Sequence, residues 1–503
     1  MNSLLVHRIK ASHSLRLAIL FFVAACLLVG TASQAQAAKP NIVFILVDDM
    51  GYGDPGCFNP ESKIPTPNID GLAAAGMRFT DAHASGPLCH MSRYGLMTGR
   101  YPFRTDVGKW PKQALIGPNE VTLPSLLRDQ GYDTAMVGKW HLGFNEKGYD
   151  KPLKGGPVDV GFDSFFGIRA STDIPPYFYI RNDQAVDPPT VPIEARSTAG
   201  WSPIQGAFSR AGKIAPDLKL KDVLPKFTAE ACQVIRSHAG NEKPLMLYLA
   251  YPAPHTPWLP SKQFASKSGA GLYGDFAMMV DDQIGQVLKT LDDTGLSQDT
   301  LVVFTSDNGP VWYEQDVQRF NHDSSGGLRG MKADAWECGH RMPMVIRWPG
   351  VVKAGASSNR LVSFVDFLAT LDELVEANIY RNAEAMANDV GPDSFSFLSE
   401  LTGKPSNAPK RQSLALRSGR RHMTIRRGSW KWIEGLGSGG FSKSPKPSKT
   451  DPKANIDRLS SIGQLYNLEA DLGETKNVAD QHARLVTELR ELVHQIEHNP
   501  RSR

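Results

Sequence analysis

The sequence predicts an α/β architecture: a large, mostly parallel β-sheet sandwiched by helices, followed by a small antiparallel sheet with a packing helix. Three observations carry this expectation. Short apolar runs end abruptly in acids or amides, helical patterns lie between them, and after about residue 405 the chain switches to short β-like segments divided by glycine turns.

The first stretch is of another kind. Arg8, Lys10 and Arg16 precede an apolar run, Leu17–Val29, and then Ala35-Gln36-Ala37, the order of a secretory signal with a small-residue cleavage site. Residues 1–37 are therefore expected to be removed and the protein exported, to the periplasm or beyond. The run holds thirteen residues, too few for a spanning helix, and no later run is long enough for a transmembrane segment. Val23-Ala24-Ala25-Cys26 also resembles a lipoprotein box, so lipid anchoring at Cys26 is the alternative; the apolar residues beyond it argue against.

From there the elements follow in order. Asn41–Asp49 is an apolar run closed by two acids, the pattern of a strand buried on both faces whose carboxyl end meets a site. Leu301–Asn308 repeats the design, ending in an acid and an amide. Thr134–Val137, Leu245–Tyr251 and Met344–Trp348 read as further strands, and Ile69–Ala75, Leu123–Gln130 and Phe276–Leu291 as helices. A domain over 38–405 results. In the second domain, 406–503, Leu414–Leu416, His422–Ile425 and Ser429–Ile433 predict antiparallel pairing, and Gly435–Lys453 a mobile loop. Gln464–Asp471 resumes the sheet, and a helix over roughly 481–497 presents Leu485, Leu489, Leu492 and Ile496 on one face.

Removing residues 1–37 takes away three positive charges and no acid, bringing the formal net charge from +4 to +1. That excludes the basic excess of a nucleic-acid binder. Cys57, Cys89, Cys232 and Cys338 are widely spaced without a metal-ligand pairing, so few disulfides are expected despite export.

Chemistry concentrates at the strand ends. Asp48, Asp49, Asp307 and Asn308 supply oxygen ligands of the kind a hard divalent cation prefers, and in a parallel sheet such ends converge on one edge. A lone Asp-Asp after a strand is commonly a turn or a helix cap, but two such strand ends point to a shared site. Other segments place reactive residues in marked contexts. These are Cys89–Arg100, Gly138–Gly143 with Lys139 and His141, Tyr251–Pro257 with His255 among prolines, and Leu328–Pro343 with Lys332.

These motifs, in this order, resemble the sulfatase family over about residues 40–480. The family signature reads Cys-x-Pro-Ser-Arg, three variable residues, Leu or Met, Thr-Gly and Arg or Lys; Cys89–Arg100 keeps every fixed position except the proline, which is Met91. The resemblance implies an alkaline-phosphatase-like sandwich and hydrolysis of sulfate monoesters, of sulfated carbohydrates or aryl sulfates. It implies that Cys89 is oxidised to formylglycine by a formylglycine-generating or radical sulfatase-maturating enzyme. The aldehyde hydrate carries two hydroxyls, one to attack sulfur and one through which sulfate is ejected. It further implies metal ligation by Asp48, Asp49, Asp307 and Asn308 with residue 89, and sulfate binding by Lys139 and Lys332. His141 would hydrogen-bond the hydrate, His255 would protonate the leaving alcohol, and Arg93 would orient nucleophile and carboxylates. Ca²⁺ is favoured over Mg²⁺, because several protein ligands plus sulfate suit a loose shell.

Substrate choice is expected in loops above the strand ends, with Asp173, Trp258 and His322 as rim residues. In Ser171–Tyr179 an acid beside aromatics suits a sugar, although Tyr177, Phe178 and Tyr179 read equally as a packed strand. Two other readings remain, a phosphate or phosphonate monoester hydrolase on the same fold and, were Cys89 not converted, a non-catalytic binder of sulfated glycans.

Overall fold

The computed structural model describes residues 39–381, 390–443 and 462–503. The expected signal peptide, Cys26 and the part of the expected loop beyond residue 443 lie outside them. Among the described residues no helix is long and apolar enough to cross a membrane.

The first compositional signal produces the central strand. β1 (Asn41–Asp48) is buried at all eight positions, which is why its sequence is continuously apolar rather than alternating. In chain order the large sheet adds β2 (Met77–Phe79), β3 (Asp133–Lys139), β4 (Ser164–Ile168), β5 (Tyr179–Arg181), β6 (Gln184–Ala185), β7 (Leu245–Pro254), β8 (Thr300–Ser306), β9 (Met344–Arg347) and β10 (Ala356–Ser358). Its ten strands lie in the order β10-β2-β9-β8-β1-β7-β3-β4-β5-β6. The middle five, β8-β1-β7-β3-β4, are all parallel, whereas β9, β5 and β6 pair antiparallel with their inner neighbours.

Two groups of helices cover this sheet. One consists of α1 (Pro67–Ala74), α4 (Val223–His238) and α5 (Gly271–Asp293), the other of α2 (Cys89–Thr98), α3 (Leu123–Asp129) and α7 (Asp366–Val375). α5 follows its sequence pattern, with Phe276, Met279, Val280, Ile284, Val287 and Leu291 set inward. A shorter helix, α6 (Glu314–Phe320), follows β8.

The second sheet is antiparallel in the order β11 (Ser413–Arg417), β12 (Met423–Arg427), β13 (Trp430–Ile433) and β14 (Gln464–Asn467), with α8 (Ala483–His498) packed on β12 and β13. The face of α8 departs slightly from expectation. Leu489 and Ile496 are buried together with Val486 and Val493, while Leu485 and Leu492 sit at the margin. Ion pairs join this part of the chain to the first domain: Arg411, just before β11, grips Asp366 at the start of α7, and Lys431 on β13 reaches Glu337 at 3.0 Å, as well as Glu474 of its own domain at 3.0 Å. Pro40–Arg503 accordingly form one compact unit.

Candidate active site

Parallel strands carry their carboxyl ends to a common edge, so each of the five central strands delivers its next residues to one place. β1 ends at Asp48 and turns at Asp49, whose φ of 62° is left-handed, a region Asp tolerates better than most residues. The Asp49 carbonyl accepts from the Tyr273 hydroxyl at 3.2 Å. β8 delivers Asp307 and Asn308, β7 delivers His255, β3 delivers Lys139 and His141, and β4 leads to Ser171 and Asp173. Cys89 is the first residue of α2, at the positive end of the helix dipole.

The side chains close on one another. The Cys89 Sγ lies 3.4 Å from Asp48 Oδ1 and 3.2 Å from the Lys332 ammonium, which also reaches Asp49 Oδ1 at 2.6 Å. The Lys139 ammonium pairs with Asp48. Arg93 donates from Nε to Asp307 Oδ2 at 2.9 Å, from Nη1 to the Lys139 carbonyl at 2.9 Å, and pairs through Nη2 with Asp307 at 2.8 Å. His255 shares a 2.7 Å hydrogen bond at Nδ1 with the Thr256 carbonyl, so that nitrogen carries the proton and Nε2 faces Asp49 Oδ2 at 3.6 Å.

Burial sets the electrostatics. It raises the Cys89 thiol well above its ordinary range, with the charges of Asp307 and Asp48 acting the same way, so the thiol stays protonated and a poor nucleophile. His141 is held neutral, pushed well down by burial and then by Lys139 and Arg93. Its Nδ1 is buried without a partner. Burial alone would raise Asp48, but Lys139, His255, Arg93 and Lys332 outweigh it and hold this carboxyl below its usual range. Asp307 is raised, by burial and then by Asp48. Two acids moving apart in this way is what adjacent carboxylates do until a cation lets both ionise.

The donor set fits a hard cation. Ligand atoms of Asp48, Asp49, Cys89 and His255 lie within 4.8 Å of one another. Asn308 Nδ2 donates to Asp49 Oδ1 at 2.5 Å and to the Gly309 carbonyl at 2.9 Å, while its Oδ1 is buried with no partner. An orphaned buried acceptor costs about 1–3 kcal/mol, and ligation would remove that cost.

Above this floor opens a cavity of ≈280 Å³, with Cys89, His141, His255 and Lys332 in its lining. Of the expected rim residues, Asp173 and Trp258 line it, but His322 does not. His322 is 1% exposed and bonds Asp54 Oδ1 at 2.9 Å, so the rim position expected for it is corrected: a buried carboxylate draws this imidazole into the core. Tyr177, Phe178 and Tyr179 likewise belong to the hydrophobic core, and only Ser171, Asp173 and Ile174 of that segment reach the cavity. Where it is described, residues 435–443, the expected loop holds no helix or strand, and its hydrogen bonds bring Phe441 to the cavity.

Sequence reasoning missed Trp110, Arg210, Tyr273 and Phe441 in the lining. The Trp110 ring stacks on His90 at 5.1 Å and lies 4.4 Å from His141. No local pattern marks Trp110, Arg210 or Phe441; Tyr273 continues the apolar spacing of α5, and helix spacing alone cannot aim its hydroxyl at Asp49.

A sequence model of the Sulfatase family matches residues 40–377. The chain belongs to the sulfatase family. The sulfatase is thus a sulfuric ester hydrolase. It is 34% identical to the N-acetylgalactosamine-6-O-sulfatase of Bacteroides thetaiotaomicron, over 92% of this chain and 94% of that protein. It is 35% identical to human arylsulfatase A over 70% of this chain and 67% of that one. A solved structure from work on the metabolism of multiple glycosaminoglycans by Bacteroides thetaiotaomicron superposes with a TM-score of 0.78 at 33% identity, covering 92% of this chain and 100% of that chain.

Proposed function

We propose that the sulfatase is exported and hydrolyses sulfate monoesters of glycans, with the 6-sulfate of N-acetylgalactosamine as its substrate group. The observation that carries this reading is the end-to-end match to a relative named for that activity, at 34% identity over 92% of this chain. The cavity supports it in kind: its lining includes Asp173, Arg210, Trp258 and Tyr273, a mix of aromatic surface and hydrogen-bonding groups suited to a sugar ring.

Asp48, Asp49, Asp307 and Asn308 would hold the cation, Ca²⁺ before Mg²⁺, and it would polarise the ester oxygens. Cys89, oxidised to formylglycine, would supply a hydrate with one hydroxyl to attack sulfur and a second through which the aldehyde re-forms as sulfate leaves. Lys332, 3.2 Å from the Cys89 Sγ, and Lys139 offset charge on the sulfate oxygens. Arg93 fixes Asp307 and the Lys139 backbone, so both acids and cations are held before substrate arrives. Neutral His141 accepts the hydroxyl proton at its unpartnered Nδ1. His255, its Nδ1–H donated in a hydrogen bond to the Thr256 carbonyl, would in its doubly protonated imidazolium form pass the Nε2 proton to the leaving sugar oxygen.

The test compares N-acetylgalactosamine 6-sulfate, the 4-sulfate isomer and an aryl phosphate. The reading expects the first to be turned over fastest; faster hydrolysis of the phosphate moves the protein to the phosphate-ester reading.

A further inference from the structure

The cavity above Cys89 adjoins a larger one of ≈730 Å³, and Phe441 lines both. Below that ring the partition consists of neighbouring chain positions facing opposite ways. Val311 and Lys332 line the first cavity, Trp312 and Met331 the second. The Lys332 N–H donates to the Pro310 carbonyl at 2.9 Å and ties the two segments together.

Phe441 is 41% exposed and is the only aromatic among the exposed large hydrophobic side chains of the described residues. Its backbone is nonetheless fixed. The Ser442 N–H and Oγ donate to the buried Asp334 carboxylate at 3.1 and 2.5 Å, the Ala335 N–H to the Ser438 carbonyl at 2.7 Å, and the Arg420 N–H to the Gly439 carbonyl at 2.7 Å. Gly440 approaches so closely that a Cβ would stand 2.3 Å from the Ala333 carbonyl. An aromatic ring carried on a hydrogen-bonded backbone and left in water between two cavities suits a ligand that crosses it.

The second cavity has the chemistry of a sugar site rather than of an apolar groove. Its wall holds the Arg329 guanidinium, 3.8 Å from the Trp336 ring centroid, together with Tyr313, Gln315 and Asp323. Phenol, amide, carboxylate and guanidinium over aromatic surface can meet hydroxyls in both donor and acceptor senses. The ≈280 Å³ of the first cavity falls just below the ~300–1,000 Å³ usual for small-ligand sites, so a longer glycan must continue elsewhere.

We propose that the groove beyond Phe441 binds the sugar residues attached to the sulfated one, with the Phe441 ring as the platform over which the glycan passes. This rests on the reading of the protein as a glycan sulfatase. Phe441 and the groove then set selectivity for chain length.

The experiment measures kcat/KM on a 6-sulfated N-acetylgalactosamine monosaccharide and on a tetrasaccharide carrying the same sulfated residue. It uses the wild type, Phe441→Ala, and Gln315→Trp, which narrows the groove from its far wall; thermal midpoints monitor folding. The wild type should prefer the tetrasaccharide by about tenfold or more, chiefly through KM, and each variant should lose about fivefold or more of that preference. Equal kcat/KM for both sugars in the wild type, or an undiminished preference in folded variants, overturns the proposal and leaves the glycan-sulfatase reading intact. If both sugars are inert while nitrophenyl sulfate is hydrolysed, that reading fails and the inference with it. The wild-type ratio decides by itself should neither variant fold.

Discussion

On the proposed reading, Cys89 is the residue on which the chemistry turns. Its side chain is 4% exposed and small, so Cys89→Ala should cost only about 1 kcal/mol of stability while removing turnover. Cys89→Ser should instead accumulate a sulfated serine, because one hydroxyl can attack sulfur but leaves no second one for elimination. Intact mass after exposure to substrate checks this, and repeated turnover by the serine variant, in a host that leaves serine unmodified, would contradict it. His255→Ala should slow a sugar sulfate by ~10²–10⁴-fold and nitrophenyl sulfate far less, since only the poor leaving group needs a proton. Equal losses on the two substrates would remove His255 from that role. The candidate residues were legible because each sits in a motif with a local signal: acids closing apolar strands, a cysteine before Ser-Arg, a histidine between prolines. His322 had no such frame, and its fate was set by Asp54, which lies 268 positions away.

At the scale of elements, the site depends on how closely β3 approaches β7. Gly138 has φ of +120°, and a Cβ there would stand 2.0 Å from the Ala250 carbonyl on the neighbouring strand. Gly138→Ala should therefore destabilise the protein by about 3 kcal/mol or more and displace Lys139 and His141, the next site residues on that segment. Urea midpoints and nitrophenyl sulfate turnover read the two effects, and a variant unchanged in both would contradict the account. Among the elements, β1, β7, β8 and α5 could be read from the sequence, since double-sided burial and a long apolar stripe each leave a pattern. The Tyr177–Tyr179 segment could not be settled that way, because aromatic residues serve equally well in a core strand and in a sugar-binding wall. The pairing of β5 with β4 puts Tyr179 inside, and Tyr177, bridged to Ile214, and Phe178 are buried beside it. The face of α8 was misjudged by one position, since its Leu and Val stripes lie side by side and the partner sheet selects between them.

At the scale of the whole molecule, stability should fall as pH drops below about 6.5. Burial holds His83, His90, His141, His340 and His422 below their ordinary 6.5, His90 at about 4, so these five bind fewer protons folded than unfolded. The unfolded state then takes up the excess protons, and stability present above 6.5 is lost on acidification. Glu474 and Asp281, raised by burial to about 7 and about 6, act with the opposite sign, as do the raised Asp217, Asp307 and Asp334; the five histidines are expected to prevail between pH 7.5 and 5.5 because their ordinary value of 6.5 lies inside that window. Urea midpoints at pH 7.5, 6.5 and 5.5 should decline in that order; a flat or rising series would contradict it. That the loop after β13 supplies Phe441 to the cavity lining was not legible, because nothing in a Gly- and Ser-rich run foretells its hydrogen bonds to Asp334 and Ala335. The claim on which everything else stands is that Cys89 is not a thiol when the enzyme works. Mass spectrometry of the peptide containing residue 89, taken from a preparation whose sulfatase activity has been measured, tests it most directly. The account predicts an aldehyde at position 89 and activity that scales with the aldehyde fraction across preparations, whereas full turnover by protein carrying only the intact thiol would contradict it.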